Sequence, residues 1–534
     1  MKKVLFAIIS AGLFLFTSCV DDLDQYPQAK TTSANVYTSV ANYKSVLAKL
    51  YASYVIAGQE KGGGNKDISS NNGYDYLRSY FNLQECGTEE VACTWLSGDK
   101  VGDLSFITWD ANDPWVSDMY YRIYYTISLC NEFLRNATDE KLSKFTADEQ
   151  RELKVFRAEA RFLRALAYSH AIDLYGKIPF VTEADPVGAF IPQVYTRAKA
   201  FDFVVKELTS IENELPARAA TEYGRVSQGA AWALLARLYL NAEIYAGVKN
   251  YTECITYCKK IIGAGYSLEP DYSKLFNADN HKRTNEIIFA LSVDATHTVS
   301  WGATTYIVCG AITNSASDKQ QAAGYTPTKY GCTNGWGMFR TRGELPSLFG
   351  NVAAGVDDKR AMFYSYEQSL TLDALDNQKQ GYFVEKWTNL TDNGQAASNT
   401  ASDGVSTDYP MFRLADVYLM LAESVLRGGE GATRAQALGY VNDLRDRAYG
   451  NTSGRISDGD LTPDFILAER GRELYWESVR RTDLIRFGKF TSSEYVWQWK
   501  GGVKDGKGVD EKYNLYPIPA AELSANPNLK NENY

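Results

Sequence analysis

The sequence is poor in the residues that hold metals and redox centres. Three histidines, at 170, 281 and 297, are scattered through 534 residues, and the eight cysteines form no CxxC pair. That spacing argues against a structural zinc site. Basic charge is also short: 56 Lys and Arg stand against 65 Asp and Glu, a net charge of -9. An acidic chain lacks the surface that neutralises phosphates, so nucleic acid is not an expected partner. Gly62-Gly63-Gly64-Asn65 is glycine-rich, but no Gly-Lys-Ser/Thr follows, so a phosphate-binding loop is not expected. No apolar run approaches the ~20 residues that a membrane-spanning helix needs.

Aromatics are abundant: 13% of residues, with 37 Tyr and 10 Trp. The Trp of Gly331-Cys332-Thr333-Asn334-Gly335-Trp336-Gly337 lies between glycines in a stretch too irregular for a helix. Such a ring is badly placed to seed a core and well placed to present a face. Trp95, in Thr94-Trp95-Leu96-Ser97-Gly98-Asp99, and Trp301, in Ser300-Trp301-Gly302, share that setting. Together they suggest a platform for a flat, partly apolar ligand with hydroxyl edges, a description that sugar rings fit. Trp109, Trp115, Trp232, Trp387 and Trp476 sit in more periodic or apolar stretches and read as core, while Trp497 and Trp499 flank a loop.

The first residues read as an address. Met1-Lys2-Lys3, the apolar run Val4 to Phe16, and Phe16-Thr17-Ser18-Cys19 have the form of a bacterial lipoprotein leader, with Phe16 where Leu is commoner. Cleavage before Cys19 would remove Lys2 and Lys3 and no acid, taking the net charge from -9 to -11. The protein is then expected to be held at the outer membrane by an acylated Cys19. Acidic Asp21 and Asp22 resemble a signal for the exterior face. Seven cysteines would remain, an odd number, and buried free thiols are expected. A Cys86–Cys93 disulfide is compatible with the spacing, whereas Cys254 and Cys258, four apart on a helix, are farther apart than a disulfide prefers.

The expected fold is mainly α. Residues 19–35 read as a tether and 36–265 as a helical scaffold with a binding loop at 59–114. Helical periodicity marks 36–58, 115–135, 148–176 and 199–215. Residues 226–263 form two Ala-, Tyr- and Leu-rich helices resembling a tetratricopeptide repeat, and 412–448 repeat the pattern. An α-solenoid of such repeats is therefore expected, interrupted at 266–410 by a large irregular insertion. That insertion is partly β, with β-prone pieces at Ile287–Leu291 and Thr305–Val308, and it carries two of the platform tryptophans. Residues 411–534 hold the C-terminal repeat helices and the closing segment. There, Glu469 to Arg486 alternates acids with arginines, and Glu477 and Arg481 have the four-residue spacing of a helical ion pair. Arginines beside every carboxylate lower pKa values and suit a structural network better than glycosidase acids, one of which needs a raised pKa.

The lipoprotein Cys19, then Asp22-Leu23-Asp24 and Pro27, the paired helices, the charged stretch 469–483, Ile485-Arg486-Phe487-Gly488 and the closing Tyr516-Pro517-Ile518-Pro519 occur in an order that resembles the SusD/RagB family over essentially the whole chain. The resemblance implies a surface lipoprotein that binds a nutrient, usually a glycan, as the lid of a SusC-type TonB-dependent transporter. It is strongest to the starch-binding branch, in which an aromatic arc, an Arg and an Asn hold an α-glucan. Phe81-Asn82 and Thr88-Glu89-Glu90 place Trp95 on one tryptophan of that arc, and Trp336 matches another. Trp301 falls where the arc has a Tyr, and Arg78 matches the arginine. The asparagine falls at Gly98, beside Asp99. A structural calcium near Asp279 and Asp408 is a further implication; no other cofactor is expected. A glycoside hydrolase, or a repeat scaffold that binds peptides, are the competing readings.

Overall fold

The computed structural model describes residues 36–60, 65–68, 74–397 and 404–534. The leader 1–18, Cys19, the tether 19–35 and Gly62 to Gly64 lie outside the described residues.

The architecture is mainly helical. Leaving aside single-turn helices, the chain runs α1 (Val40–Ala52), α2 (Tyr76–Glu85), α3 (Pro114–Asn136), α4 (Ala147–Leu174), α5 (Arg197–Ile211), α6 (Gln228–Leu240), α7 (Tyr251–Gly263), α8 (Ala303–Ala311), α9 (Leu414–Leu426), α10 (Arg434–Tyr449), α11 (Pro463–Leu474) and α12 (Arg480–Arg486). Side chains fix many of the starts. Thr146 and Glu149 form a capping box at α4, Ser227 caps α6, and Thr433 with Gln436 boxes α10. Helices pack in sequence-adjacent pairs, α3 on α4, α6 on α7 and α9 on α10. In α6 the buried Ala230, Ala231 and Ala233 keep that face thin enough for close packing. α7 also packs on α9, so the second repeat stacks on the first across the insertion between them.

The insertion is closed at its base by a ladder. β4 (Ile287–Leu291) pairs antiparallel with β8 (Tyr409–Arg413), from Ile287 opposite Arg413 to Leu291 opposite Tyr409. The other described strands also occur in antiparallel pairs: β1 (Ala92–Cys93) with β5 (Phe339–Arg340), β2 (Ile178–Phe180) with β3 (Gln193–Tyr195), and β6 (Phe363–Tyr364) with β7 (Phe383–Val384). One hydrophobic core runs through scaffold and insertion alike, from Tyr37 to Leu529.

Three details differ from expectation. Thr305–Val308 is helical, inside α8, although its residues favour strands. All nine residues of α8 are buried, and the Asp75 carboxylate accepts from the Ala303 N–H at its start, so tertiary contacts override local preference. The first helix is shorter than 36–58, because its Ser39 cap opens the regular helix only at Val40. Glu477 and Arg481 are not partners on one helix. The chain breaks between α11 and α12, with Trp476 and Ser478 at φ 62° and 57°. Glu477 pairs instead with Lys386 (2.6 Å) and Arg413 (2.7 Å). As expected, the seven described cysteines are buried and outside any disulfide, Cys86 and Cys93 included.

Candidate functional site

The short β1–β5 ladder brings two of the tryptophans together. Cys93 pairs with Phe339, and the next residue, Thr94, continues the contact through N–H to Met338 O (2.8 Å) and Oγ1 to Gly337 O (2.9 Å). Trp95 and Trp336 therefore leave the same end of one ladder. Their ring centroids are 6.4 Å apart and their planes 23° from parallel.

The Trp336 loop is seated on the end of α8. Trp336 N–H donates to Cys309 O (2.8 Å), Met338 N–H to Gly310 O (3.0 Å) and Gly337 N–H to Ile312 O (2.7 Å). Carbonyls that the helix end leaves unpaired thus become the loop's acceptors. The approach is close enough to require glycine at 335, where a Cβ would lie 2.7 Å from the Ile312 and Thr313 backbone.

Trp301 sits at the other end of α8. One buried carboxylate, Asp75, organises this corner. It accepts from the Arg78 N–H (3.0 Å) as the N-cap of α2, and from the Ala303 N–H (3.1 Å) at the start of α8. A negative group serving two helix N-termini is well placed against both dipoles. Burial nevertheless pushes its pKa above the ordinary carboxylate value. A Cβ at position 302 would lie 1.3 Å from the Asp75 Oδ2, so only glycine can follow Trp301.

Arg78 ties the corner to the ladder. Its Nη1 donates to Trp301 O and its Nη2 to Asp99 Oδ1, both at 2.6 Å. Its guanidinium lies 3.5 Å from the Tyr74 ring centroid and 4.0 Å from that of Tyr306. The Tyr306 hydroxyl is 2.8 Å from Asn82 Oδ1 and 3.1 Å from Asp99 Oδ2, and its ring is 6.4 Å from that of Trp336. Arg78 and Asp99 are 3% and 7% exposed, against 38% for Trp95 and 50% for Trp301, with Trp336 half-buried. The tryptophans face outward, and the charged pair forms the layer beneath them. Burial raises the Asp99 carboxyl above its ordinary value, with Arg78 and Tyr306 opposing that shift.

All five residues singled out in the sequence therefore belong to one connected unit. Sequence reading missed Asp75, Tyr74 and the joining role of Tyr306. Asp75, just before a helical run, carries a capping signal. Tyr306 carried none, since its stretch reads as strand. Of the remaining tryptophans, 109, 115, 387, 476 and 497 are buried, whereas Trp232 and Trp499 are half-buried. Trp232 donates its Nε1 to Glu212 (2.8 Å) and Trp499 to Leu372 O (3.0 Å).

Asp279 and Asp408 do not offer a calcium ion a donor set as they stand. Asp279 pairs with Lys282 (3.0 Å) and accepts from the Asp392 N–H. Asp408 accepts from the Val293 N–H (2.7 Å) and the Tyr223 hydroxyl (2.8 Å), and burial pushes its pKa up to about 6. Among the described residues, no group of three or more His, Cys, Asp or Glu could hold a metal ion, whereas calcium takes 6–8 oxygens.

Comparison with known proteins places this geometry in context. The model of the SusD family matches residues 264–534, and a second, described as starch-binding associating with outer membrane, matches residues 23–240. The chain is 32% identical to the starch-binding protein SusD of Bacteroides thetaiotaomicron, over 100% of this chain and 98% of that one. It is 24% identical to SusD-like protein P25 of Formosa agariphila, over 97% and 96% of the two chains. Among solved structures, a SusD homolog from Bacteroides thetaiotaomicron superposes with a TM-score of 0.71 at 18% identity, covering 94% of this chain and 98% of that chain. Surface glycan-binding protein A of the same organism, in complex with laminarihexaose, gives 0.68 at 18% identity, covering 91% and 98%.

Proposed function

The chain belongs to the SusD family, and from that premise we propose that it is a non-catalytic surface glycan-binding lipoprotein. It captures an α-glucan of the starch or malto-oligosaccharide type on Trp95, Trp301 and Trp336. It then passes the sugar to a SusC-type TonB-dependent transporter. Acylated Cys19 holds it on the outer membrane, facing the exterior.

The observation that carries this reading is the near-parallel Trp95–Trp336 pair, with Trp95 38% exposed and Trp336 half-buried. Near-parallel rings at the end of one ladder offer faces to the C–H faces of sugar units. An arc of such rings would favour a helical α-glucan over a straight β-glucan. Stacking contributes ~0.5–1.5 kcal/mol per aromatic pair beyond area burial, so each site binds modestly. Retention comes from many copies on one surface.

A hydrolase reading finds less support. A glycosidase needs two carboxyls across the scissile bond, one of them an acid with a raised pKa. Beneath the platform, Asp99 is engaged on both oxygens by Arg78 and Tyr306, and Asp75 is enclosed between two helix starts. The test is migration of the soluble protein through gels containing amylopectin, dextran, levan or xylan. Retardation by amylopectin alone is expected. Retardation only by another polysaccharide would replace the starch assignment, and loss of the polysaccharide during incubation would restore the hydrolase.

A further inference from the structure

The platform has a polar neighbour. Thr313 forms an isolated β-bridge with Trp336 and also lines a cavity of about 580 Å³. Ser315, Glu367, Gln378 and Lys379 share that lining, over a buried Phe383. The volume lies within the range of small-molecule sites, ~300–1,000 Å³. Its chemistry is unusual for an apolar ligand: hydroxyls, three amides, an ammonium and a carboxylate surround a single ring.

The rim of this cavity is held by specific contacts. Glu367 has φ 55°, a left-handed backbone that non-glycine residues seldom adopt. Its carboxylate is held by the Ser317 hydroxyl (2.6 Å) and the Lys319 ammonium (2.9 Å). The buried Gln320 donates to the carbonyl of Tyr366 (3.0 Å). The turn so fixed leaves Tyr366, the residue before the lining residue Glu367, 50% exposed, as open as Trp301.

We propose that this cavity is a second sugar subsite, continuous with the tryptophan platform, that takes further units of the same glycan chain. Tyr366 supplies a ring face at the rim, and Ser315, Gln378 and Lys379 supply hydrogen-bonding groups for hydroxyl edges. The proposal rests on the glycan-binding reading above and adds a dependence on chain length that the platform alone does not give.

The test is calorimetric titration of the soluble chain with maltotriose and maltoheptaose. The wild type is expected to bind the heptasaccharide roughly tenfold more tightly than the trisaccharide. A Tyr366→Ala/Gln378→Ala double variant loses that gain and leaves maltotriose affinity unchanged. Lys379→Ala, an exposed substitution, shows a partial loss and serves if the double variant melts early. Trp336→Ala weakens both sugars. Retention of the full chain-length gain in the double and Lys379 variants overturns the subsite, as does a wild type that binds both sugars equally. Binding of neither sugar overturns the α-glucan reading itself, and the subsite with it.

Discussion

Two regions of this protein use the same residue types, arginines, carboxylates and aromatic rings, to opposite ends. Between the C-terminal repeat and the insertion, Arg413 reaches Glu473 (2.6 Å), Glu477 (2.7 Å) and Glu286 (3.1 Å), while Arg360 reaches Glu469 (2.8 Å), Glu473 (3.0 Å) and Asp358 (2.6 Å). Every one of these groups is buried. Burial alone would raise the Glu469 pKa, but Arg360, Arg472 and Arg445 outweigh it and hold the carboxyl down at about 2. At the platform, the Arg78–Asp99 pair is buried in the same way, yet the layer above it is three partly exposed tryptophans. The lesson is that a dense charged cluster marks a site only where something above it still meets water. The repeat spends all its polar groups internally and stabilises; the platform spends its charges internally and leaves its rings over.

The contrast can be broken from either side. The largest expected effect is Arg413→Ala, which takes one buried cation from Glu473, Glu477 and Glu286, leaves them to Arg360, Lys386 and Arg447, and should destabilise the protein by ~3–5 kcal/mol. Chemical denaturation checks it, and glycan affinity measured at low temperature should stay within about twofold for the molecules that remain folded. Next is Trp336→Ala, the mirror image: glycan affinity falls ~10-fold or more while the melting temperature changes little, because the ring is half-exposed. Arg78→Ala should fall between the two. It removes the bonds to Trp301 O and Asp99, so affinity weakens severalfold and stability drops by ~2–3 kcal/mol. Calorimetry and thermal melts on one sample separate these readouts. If Arg78→Ala changed affinity without changing stability, the guanidinium would be touching sugar rather than supporting the loop.

The smallest effect is one of pH. Glu85 and Glu90 are buried together, and burial, opposed by Arg480, raises Glu90 to about 7. A carboxyl raised in the folded state contributes stability that is complete below its unfolded value, ~4.3. That contribution is lost as pH rises through about 7. Between pH 5 and pH 8 the melting temperature of the wild type should therefore fall by a few degrees relative to that of Glu90→Gln. Glycan affinity should not follow it.

Much of this arrangement is legible in the sequence, for reasons that differ by region. The repeats are legible because Ala230, Ala231, Ala233 and their neighbours carry a helical period that packing then uses. The loop tryptophans are legible because each lies in an irregular stretch with glycine close by, Gly335 and Gly337 for Trp336, Gly302 for Trp301 and Gly98 for Trp95. What is hidden is whatever depends on residues far apart in the chain. α8 forms from a strand-like sequence because Asp75, more than two hundred residues earlier, caps it and because every face is covered. Asp99 is reached only through the family resemblance, beside the Gly98 that falls where the arc has an asparagine, and its position beneath the rings depends on Arg78 and Tyr306. The break at Trp476 and Ser478, which turns Glu477 toward Lys386 and Arg413, has no local signal either.

The most direct test of the account is affinity electrophoresis in amylopectin gels of the soluble protein (residues 20–534) beside a Trp95→Ala/Trp336→Ala variant, with melting curves for both. The account predicts that the wild type is retarded, and that the variant runs as in a gel without polysaccharide while melting within a few degrees of the wild type. Equal retardation of the two proteins would contradict it, because the glycan would then be held somewhere other than the tryptophan platform.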